Sequence, residues 1–442
     1  MEAKNTNTMN EKIVQKSTDG KRKWSMVVII FIFMLLHQTD KYLISPLTTP
    51  IMEEFNINEA QMGLVFTGAL LIGGIFYPIW GYLFDRYARP KILALAALVW
   101  GGTTWLSAIA KSFGFFIFTR ASTGIDDASY PGAYSLVSDY FEPKKRGKII
   151  SVLQLSAVLG GIVGMGLAAA LRDTIGWRGV FYVTGGLGVL ISAVIYFGIR
   201  EVPRGQSEPE MKNSDTVVEK KFSWKTVGQL VRRPTMVVLF IQQFFHVFPF
   251  TAINAWYFRY LETERLLSAD KVVMAAGIFA VMTAISGLIG GSLGDWLFQK
   301  TPRGRLLIAL IGIVGQLFAF NMLLNSPADN FNYFIMWEVI AGLFWSFEWP
   351  NVTSTVQDVT EPEVRSTAHS IIGVAETVGS ALAPLVVGML AVNATLKHAM
   401  QMITLSAWSI GLLLLTIVIL VIPKDVKRLR DIMRQRKEEL PV

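Results

Sequence analysis

The stretch Gly81-Tyr-Leu-Phe-Asp-Arg-Tyr-Ala-Arg-Pro-Lys91 lies between two long apolar runs, and the rest of the chain is interpreted from it. A near copy, Gly291-Ser-Leu-Gly-Asp-Trp-Leu297, follows 210 positions later between two further apolar runs. One charged loop of this kind is ordinary, but two copies at half-chain spacing indicate two repeated halves. A glycine permits close helix contact, and a carboxylate is stabilised at the positive N-terminal end of a helix. We therefore interpret Gly81, Asp85 and Asp295 as parts of a latch.

A second pair of matching stretches supports the repeat. Asp139-Tyr-Phe-Glu-Pro-Lys-Lys-Arg146 matches Asp358-Val-Thr-Glu-Pro-Glu-Val-Arg365 at an offset of 219 positions. The other matches are Pro131 with Pro350 and Gly160 with Gly379 at the same offset, and His37 with His246 at 209 positions. Matches spread over so much of the chain indicate that the whole halves are related.

The basic residues of these loops complete the latch. Arg86, Arg89 and Lys91 of the first loop are expected to stay in the water of the lipid headgroups. We add Arg146 and Arg365, which end the second pair of stretches, to the same group.

Composition indicates a polytopic membrane protein. Of the 442 residues, 52% are hydrophobic and 17% are charged, and the charges gather between apolar runs. These runs are about 20 residues long, the length that crosses roughly 30 Å of hydrocarbon. Too few residues lie outside them to build a soluble catalytic domain, so we do not expect an enzyme. The chain has no cysteine and no His/Asp/Glu cluster with metal-ligand spacing, so we expect neither a metal nor a cofactor.

The apolar runs predict an all-α fold of twelve transmembrane helices in two six-helix bundles. The predicted parts are an N-terminal tail (1–23), a first bundle (24–199), a linker (200–235), a second bundle (236–422) and a C-terminal tail (423–442). Lysine and arginine concentrate in the tails, the linker and alternate loops, which predicts that both termini are cytoplasmic. The net charge of +8 therefore reflects orientation in an inner (plasma) membrane, not nucleic-acid binding.

Ionisable residues inside the first-half spans point to a site, because an unpaired charge at bilayer depth costs a few kcal/mol or more. Asp40 and Lys41 lie in the first span, and Arg120, Asp126 and Asp127 lie in the fourth. Arg120 and Asp127 are seven positions apart, so a continuous helix would place them on one face, at opposite ends of a site. Two alternatives stay open: Arg120 as a membrane-edge anchor, and Asp126 facing another helix.

The second half carries its own polar positions. His246, Asn254 and Trp256 lie in the seventh span and Glu348 in the tenth. Glu348-Trp-Pro350 breaks a helix beside a carboxylate, where freed carbonyl groups gather polar partners. Glu348 is therefore the main candidate site residue of this half. For His246, the alternative is that it only forms a hydrogen bond to a neighbouring helix.

These residues resemble the major facilitator superfamily, near its anion:cation symporter and Spinster-like branches. The Gly81–Lys91 loop is similar to the family's Gly-x-Leu-x-Asp-Arg-x-x-Arg signature, and Asp40-Lys41 stands where both branches have Asp-Arg. The stretch Arg120–Pro131 resembles the fourth-span motif Arg-x-x-x-Gly-x-x-Glu-Ala, with Asp127 in place of Glu. Lysine lacks the bidentate fork of arginine, so the change at Lys41 leaves the substrate open.

The resemblance implies alternating-access transport, with a basic group for an anionic substrate and an acidic group for a coupling proton. The expected substrate-binding residues are Lys41, Arg120, Tyr130, His246, Asn254, Trp256 and Glu348. Asp127, Asp40 and Asp126 are the expected proton carriers, and the latch residues become gating residues.

The substrate class stays open at this stage. The cations Lys41 and Arg120, which we expect to be buried, favour a small organic anion, such as a sugar acid or another carboxylate, taken up with protons. The resemblance to the Spinster-like branch favours a lysolipid or another amphiphile. A membrane sensor that kept the fold is the alternative from another class. The expected partners are the small molecule, protons and the lipid bilayer, and we expect a monomer.

Overall fold

The computed structural model describes residues 2–141, 143–202, 234–360 and 365–438, and within them it contains helices and no strand. The helices of the first half are α1 (Glu2–Phe55), α2 (Glu59–Arg86), α3 (Arg89–Ala108), α4 (Phe113–Ser122), α5 (Tyr130–Tyr140) and α6 (Pro143–Gly198). Those of the second half are α7 (Pro234–Thr263), α8 (Ala269–Phe298), α9 (Gly304–Leu324), α10 (Phe331–Trp345), α11 (Glu348–Val359), α12 (Arg365–Val392) and α13 (Leu396–Glu438). The predicted all-α class is confirmed, and most of the predicted linker lies outside the described residues.

Nine helical stretches among the described residues are long and apolar enough to cross a membrane. One of them, Ile149–Gly198, covers the predicted fifth and sixth spans. Gly176 separates the two inside α6, because its φ of 70° and ψ of 168° are not helical and suit glycine. The predicted fourth and tenth spans are broken helices, so the count of twelve spans stays a prediction.

Both broken spans restart at a proline. In the fourth, two short 3₁₀ turns, Thr123–Ile125 and Asp127–Ser129, separate α4 from α5, and Pro131 lies in the first turn of α5. In the tenth, α10 ends at Trp345 and α11 begins at Glu348, two residues before Pro350. Proline is tolerated there because the first turn of a helix leaves its N–H groups unpaired. The prediction of one continuous helical face from Arg120 to Asp127 is therefore wrong.

The chain divides into two compact units. The first unit comprises Met1–Leu47 and Leu71–Glu219, and the second comprises Thr48–Leu70 and Lys220–Val442. The end of α1 and the start of α2 thus belong to the second unit. Within that unit, Glu59 pairs with Arg259 (Oε1–Nη2 2.8 Å).

Glycines allow the first and fifth predicted helices of each half to approach closely. A methyl group at Gly160 would lie 2.7 Å from the backbone oxygen of Leu35 in α1. A methyl group at Gly379 would lie 2.8 Å from the backbone oxygen of Phe244 in α7. Leu35 and Phe244 are 209 positions apart, the same spacing as the two histidines. The repeat found in the sequence is therefore also a repeat of helix packing.

Candidate functional site

A cluster of polar side chains lies where α1 passes the break between α4 and α5. We call His37, Lys41, Asp126, Asp127 and Tyr130 the first-unit site. His37 and Lys41 are one turn apart and share a face of α1. Lys41 Nζ lies 3.0 Å from Asp127 Oδ2, and His37 Nε2 lies 2.7 Å from Asp126 Oδ2. The structure therefore brings together four predicted site residues and adds His37, which the sequence analysis noted only as a repeat match of His246.

The hydrogen bonds around His37 indicate which ring nitrogen carries its proton. Gln38 Nε2 donates to the Tyr130 hydroxyl at 3.0 Å, and that hydroxyl lies 2.5 Å from His37 Nδ1. Because the hydroxyl accepts from Gln38, its own proton can be donated to Nδ1 of a neutral ring. The Nε2–H of His37 then faces Asp126.

The charges of this site balance only when the site holds an additional proton, on His37 or on a carboxylate. With His37 neutral, the single positive charge of Lys41 stands against the carboxylates of Asp126 and Asp127. Asp126 has no exposed surface, and its Oδ1 has no hydrogen-bond partner within the described part of the chain. A buried carboxylate oxygen without a donor is costly when charged, so the arrangement favours uptake of one proton.

Asp40 and Arg120 form a separate buried cluster in the same unit. Asp40 accepts hydrogen bonds from Thr184 (2.9 Å) and Thr104 (3.3 Å), and its Oδ2 lies 3.6 Å from Arg120 Nη1. Arg120 is 4% exposed and stacks over Phe181, which excludes a lipid-facing anchor at the membrane edge. Asp127 is not part of this cluster. Two donors of Arg120, Nε and Nη1, have no hydrogen-bond partner among the residues that the structure describes.

A third buried cluster lies in the second unit, where α7 passes the start of α11. We call Gln242, Gln243, His246 and Glu348 the second-unit site. Glu348 has no exposed surface; its Oε1 accepts from Gln242 (2.8 Å) and Gln243 (3.4 Å), and its Oε2 contacts His246 Nδ1. The two glutamines were missed, although adjacent amides one turn before a histidine in an apolar span are a readable signal.

Asn254 and Trp256 do not join the second-unit site. Asn254 Nδ2 donates to the backbone oxygen of Phe250, one turn earlier in α7. Trp256 is fully buried; its Nε1 donates to the Pro384 oxygen at 3.0 Å, and its ring packs against Phe66. Trp256 therefore connects two helices, Asn254 bonds within its own helix, and the predicted contact of both side chains with substrate stays a prediction.

A buried carboxylate of α10 also went unassigned. Glu338 has no exposed surface and accepts a hydrogen bond from Tyr257 of α7. The sequence places Glu338 in a span but does not predict its partner, because the two residues lie 81 positions apart.

The structure corrects the expectation that Arg89 stays in headgroup water. Only 1% of Arg89 is exposed. It forms ion pairs with Asp139 and with Glu201 (Nη2–Oε1 2.6 Å) and donates to Ser135 Oγ at 3.0 Å. The five donors of a guanidinium explain how one side chain joins three partners. Arg86 is exposed and donates to the Tyr82 hydroxyl at 2.6 Å.

The second half contains the counterpart of this network. Arg305 Nη2 lies 2.7 Å from Asp295 Oδ1, and Arg305 also pairs with Asp358, which matches Asp139 in the repeat. Arg305 is less buried than Arg89, with 16% of its side chain exposed. Asp295, predicted to meet a helix N-terminus, instead meets this arginine in the first turn of α9.

The other predicted gating residues differ in their surroundings. Arg146 Nε donates to the Phe141 backbone oxygen at 2.8 Å, which holds the start of α6 to the end of α5. A methyl group at Gly81 would have no heavy atom within 4 Å in the described part of the chain, so close helix contact does not explain this glycine. The side chains of Asp85 and Arg365 lie outside the described residues. The gating role of all these residues stays a prediction.

Comparison with known proteins identifies the family. The family model described as Major Facilitator Superfamily matches residues 30–384 and 303–437, which is most of the chain. The chain belongs to the Major Facilitator Superfamily. Members of this family are transporters, so the chain is classed with transporters and not with enzymes. Membership and the nine apolar helices of the described residues together establish a multi-pass membrane protein.

Several members of the superfamily are similar over most of the chain. Protein spinster of Drosophila melanogaster is 29% identical over 400 residues, 86% of this chain and 64% of that protein, so the chain spans just under two thirds of its length. Protein spinster homolog 1 of Xenopus laevis is 27% identical over 84% of this chain and 73% of its own. The "Probable galactarate/D-glucarate transporter GudP" of Escherichia coli is 27% identical over 67% of this chain and 70% of its own.

A solved structure shares the fold. A bacterial homolog to the human lysosomal transporter Spinster, crystallised in an inward-facing and unoccupied conformation, matches with a TM-score of 0.78 at 19% identity. The match covers 93% of this chain and 98% of that one. Together with the Spinster relatives, it confirms the predicted resemblance to the Spinster-like branch.

Proposed function

We propose that this member of the Major Facilitator Superfamily is a secondary active transporter that takes up a small organic anion together with a proton. The observation that carries the proposal is the contact between Lys41 and Asp127, 3.0 Å long, beside the fully buried Asp126. A cation suited to an anion and carboxylates suited to a proton thus share one cluster.

The coupling follows from the cost of leaving a charge unpaired. Lys41 is partly exposed, with 41% of its side chain accessible, and at membrane depth its charge is stabilised by a partner, either Asp127 or an anionic ligand. A proton on Asp127 removes the carboxylate charge, and the ammonium of Lys41 is then available to the anion. Loss of the proton restores the ion pair and expels the anion. Proton and anion therefore bind together or not at all.

Arg120 supplies further anion-binding capacity. Its guanidinium is buried, lies 3.6 Å from Asp40, and has two donors without a hydrogen-bond partner among the described residues. Buried donors of this kind are rare in folded proteins unless they serve a ligand or bound water. We assign Arg120 to the carboxylate or another anionic group of the substrate, with Asp40 as its positioning partner and as the second choice for proton carrier.

The driving force is sufficient for accumulation. One proton and one monovalent anion carry no net charge together, so the pH gradient supplies the driving force: each pH unit contributes about 1.36 kcal/mol, which supports roughly tenfold accumulation. This proposal places the chain in an inner (plasma) membrane with both termini in the cytoplasm and takes the monomer as the working unit.

The substrate is proposed to be a sugar acid or a related carboxylate. Of the two cations expected to be buried, Arg120 is buried, whereas Lys41 has 41% of its side chain exposed; both cations, together with the similarity to a protein named as a galactarate/D-glucarate transporter, support this choice. The Spinster relatives support the second candidate, an amphiphile such as a lysolipid. A sensor that kept the fold is the remaining alternative, and demonstrated accumulation of any solute would dismiss it.

Thermal stabilisation of the purified protein distinguishes the substrate classes. A ligand at one hundred times its Kd stabilises the folded state by about 2.7 kcal/mol. We expect sugar acids or other small carboxylates to raise the melting temperature and sulfonates to do so less. Stabilisation by lysolipids alone would reverse the order of the two candidates.

Transport in proteoliposomes tests the coupling. Asp127→Asn should abolish accumulation driven by a pH gradient and retain exchange of substrate between preloaded vesicles and medium. Asp173→Asn is the matched control, because Asp173 is a carboxylate on the surface with 74% of its side chain exposed. If Asp127→Asn still concentrates substrate in a pH gradient, Asp127 is not the proton carrier. The same assay on Asp126 and Asp40 then decides whether another carboxylate of the first unit takes the role.

A further inference from the structure

The second-unit site holds a carboxylate without the cations found in the first unit. The ion-pair partner of Glu348 among the described residues is His246, and its hydrogen-bond donors are the amides of Gln242 and Gln243. Glu376 of α12 is close enough to interact electrostatically with both Glu348 and His246. Together with the neighbouring Glu376, which lies outside it, the second-unit site offers two carboxylates against one imidazole and therefore no excess positive charge, so the site is poorly suited to an anion.

The position of Glu348 parallels that of Asp126. In each half, a histidine of the first predicted helix contacts a fully buried carboxylate at the break of the fourth. The histidines match in the repeat, but the carboxylates do not: Asp126 precedes the restart of its helix, whereas Glu348 begins the restarted helix. The same contact is thus made from different positions in the two halves.

The two glutamines can satisfy Glu348 with or without a proton. In the arrangement described, both Nε2 groups point to Oε1 of Glu348, which suits a charged carboxylate. The Oε1 atoms of Gln242 and Gln243 are buried and have no partner among the described residues. Because a glutamine amide offers donors on one side and an acceptor on the other, rotating it would let Oε1 accept the O–H of a protonated Glu348.

A charged Glu348 is costly in these surroundings. It has no exposed surface, and neutral amides and an imidazole are its neighbours. Protonation of the Glu348 carboxylate removes this cost, and protonation of His246 instead supplies a compensating positive charge. Either event binds one proton at the second-unit site. A fixed structural ion pair would need neither the unused Oε1 acceptors of the two glutamines nor a histidine, the side chain that titrates near neutral pH.

We propose that Glu348, in contact with His246, is a second proton-binding site, so that the protein binds one proton in each unit. The binding claim stands on the second-unit site alone. Its consequence for transport, two protons moved with each anion, rests on the proposed function.

Infrared difference spectroscopy on the full chain in lipid vesicles tests the binding claim. Spectra recorded between acidic and alkaline buffer report the C=O stretch of carboxyl groups that gain a proton. We expect Glu348→Gln to remove one titrating component and Asp127→Asn to remove another. Glu338→Gln and Glu376→Gln are matched controls, because both replace a second-unit glutamate outside the second-unit site, and neither should remove the component assigned to Glu348.

His246 supplies a second measurement should Glu348→Gln fold poorly. In His246→Gln, the component assigned to Glu348 should persist but titrate at a different pH, because the charge of the imidazole is gone. A titrating band that is unchanged in both Glu348→Gln and His246→Gln would overturn the proposal. So would loss of the same component in the Glu376→Gln control.

A transport experiment tests the two-proton consequence. It measures the number of protons moved per anion in proteoliposomes, from the pH gradient that just cancels an opposing anion gradient. We expect the ratio to fall from two to one in Glu348→Gln, measured on whatever anion uptake the variant has. A wild-type ratio of one would refute two-proton coupling and leave the proposed symport intact. Absence of any pH-driven uptake would refute the symport, and the infrared titration would still decide the second site.

Discussion

In the first half, His37 of α1 contacts Asp126 at a broken helix. Lys41 follows His37 by one turn, and Arg120 and Asp127 belong to the same broken span as Asp126. In the second half, His246 contacts Glu348, which has two glutamines as neighbours. The helices around both contacts follow the same repeat, down to the glycines that bring the first and fifth helices together. The described residues of the second-unit site include no lysine or arginine. The helix packing is therefore repeated in both halves, whereas the proposed anion site belongs to the first half alone.

The two buried arginine networks give the largest expected difference between the halves. Arg89→Ala should destabilise the protein by about 3–5 kcal/mol, because it leaves carboxylates without their buried partner. Arg305→Ala should cost less, about 1 kcal/mol, since Asp295 is 62% exposed and water can replace the arginine there. Thermal or denaturant unfolding of the purified variants measures both, with the exposed Arg86→Ala as control. Equal losses at Arg89 and Arg305 would remove this distinction between the halves.

Anion affinity should separate the two candidate sites. Lys41→Gln removes a charged hydrogen-bond donor worth about 1.5–3 kcal/mol, a loss of roughly 10- to 150-fold in affinity. Glu348→Gln should change anion affinity little, because the second-unit site has no excess positive charge. Ligand-dependent melting temperatures measure both variants with one carboxylate ligand. A large loss in Glu348→Gln and none in Lys41→Gln would exchange the roles of the two units.

The packing repeat predicts similar effects at Gly160 and Gly379. Alanine at either position places a methyl group 2.7–2.8 Å from a backbone oxygen of the first helix in its half, and the helix must shift. We expect each change to cost about 1–3 kcal/mol. Gly161→Ala is the matched control, because its methyl group would lie at an ordinary 3.5 Å from Tyr42. Melting temperatures that fall at only one of the two glycines would show that the repeat does not extend to packing energy.

The smallest effect is expected at Gly81 and Gly291, the matching glycines near the ends of α2 and α8. Gly81→Ala should change the free energy of unfolding by less than about 0.5 kcal/mol, because the new methyl group meets no described heavy atom within 4 Å. Gly291→Ala should be similar, since its nearest neighbour is Pro350 at 3.7 Å. If stability holds while transport falls in Gly81→Ala, the glycine serves the moving protein, as its predicted gating role requires.

Sequence patterns predicted the features that repeat locally. Hydropathy located the helices, and Pro350 marked the break in the tenth span, because both signals act within a few residues. The break in the fourth span was not predicted, although Pro131 follows it. Burial of Arg89 was not predictable in this way. Its carboxylate partners lie 50 and 112 positions away, and a basic residue beside a loop is exposed unless such partners fold onto it.

The candidate site was predicted in its residues but not in its pairings. A helical period placed Arg120 and Asp127 on one face, but the 3₁₀ turns at Thr123–Ser129 change the rotation per residue, so each meets a different side chain of α1. Asp40 and Lys41, adjacent in sequence, consequently have different partners. Gln242 and Gln243 were overlooked because they carry no charge, although their amides surround Glu348.

The segment Thr48–Leu70 has a consequence for how the protein is made. Thr67 donates its hydroxyl proton to the backbone oxygen of Ala381, 314 positions later in the chain. At a synthesis rate of 5–20 residues per second, the ribosome reaches that partner roughly 16–63 s after Thr67. The second predicted helix therefore enters the bilayer well before its partner exists. During that interval its polar groups depend on lipid headgroups or on an insertion chaperone, and its final packing is among the last events of folding.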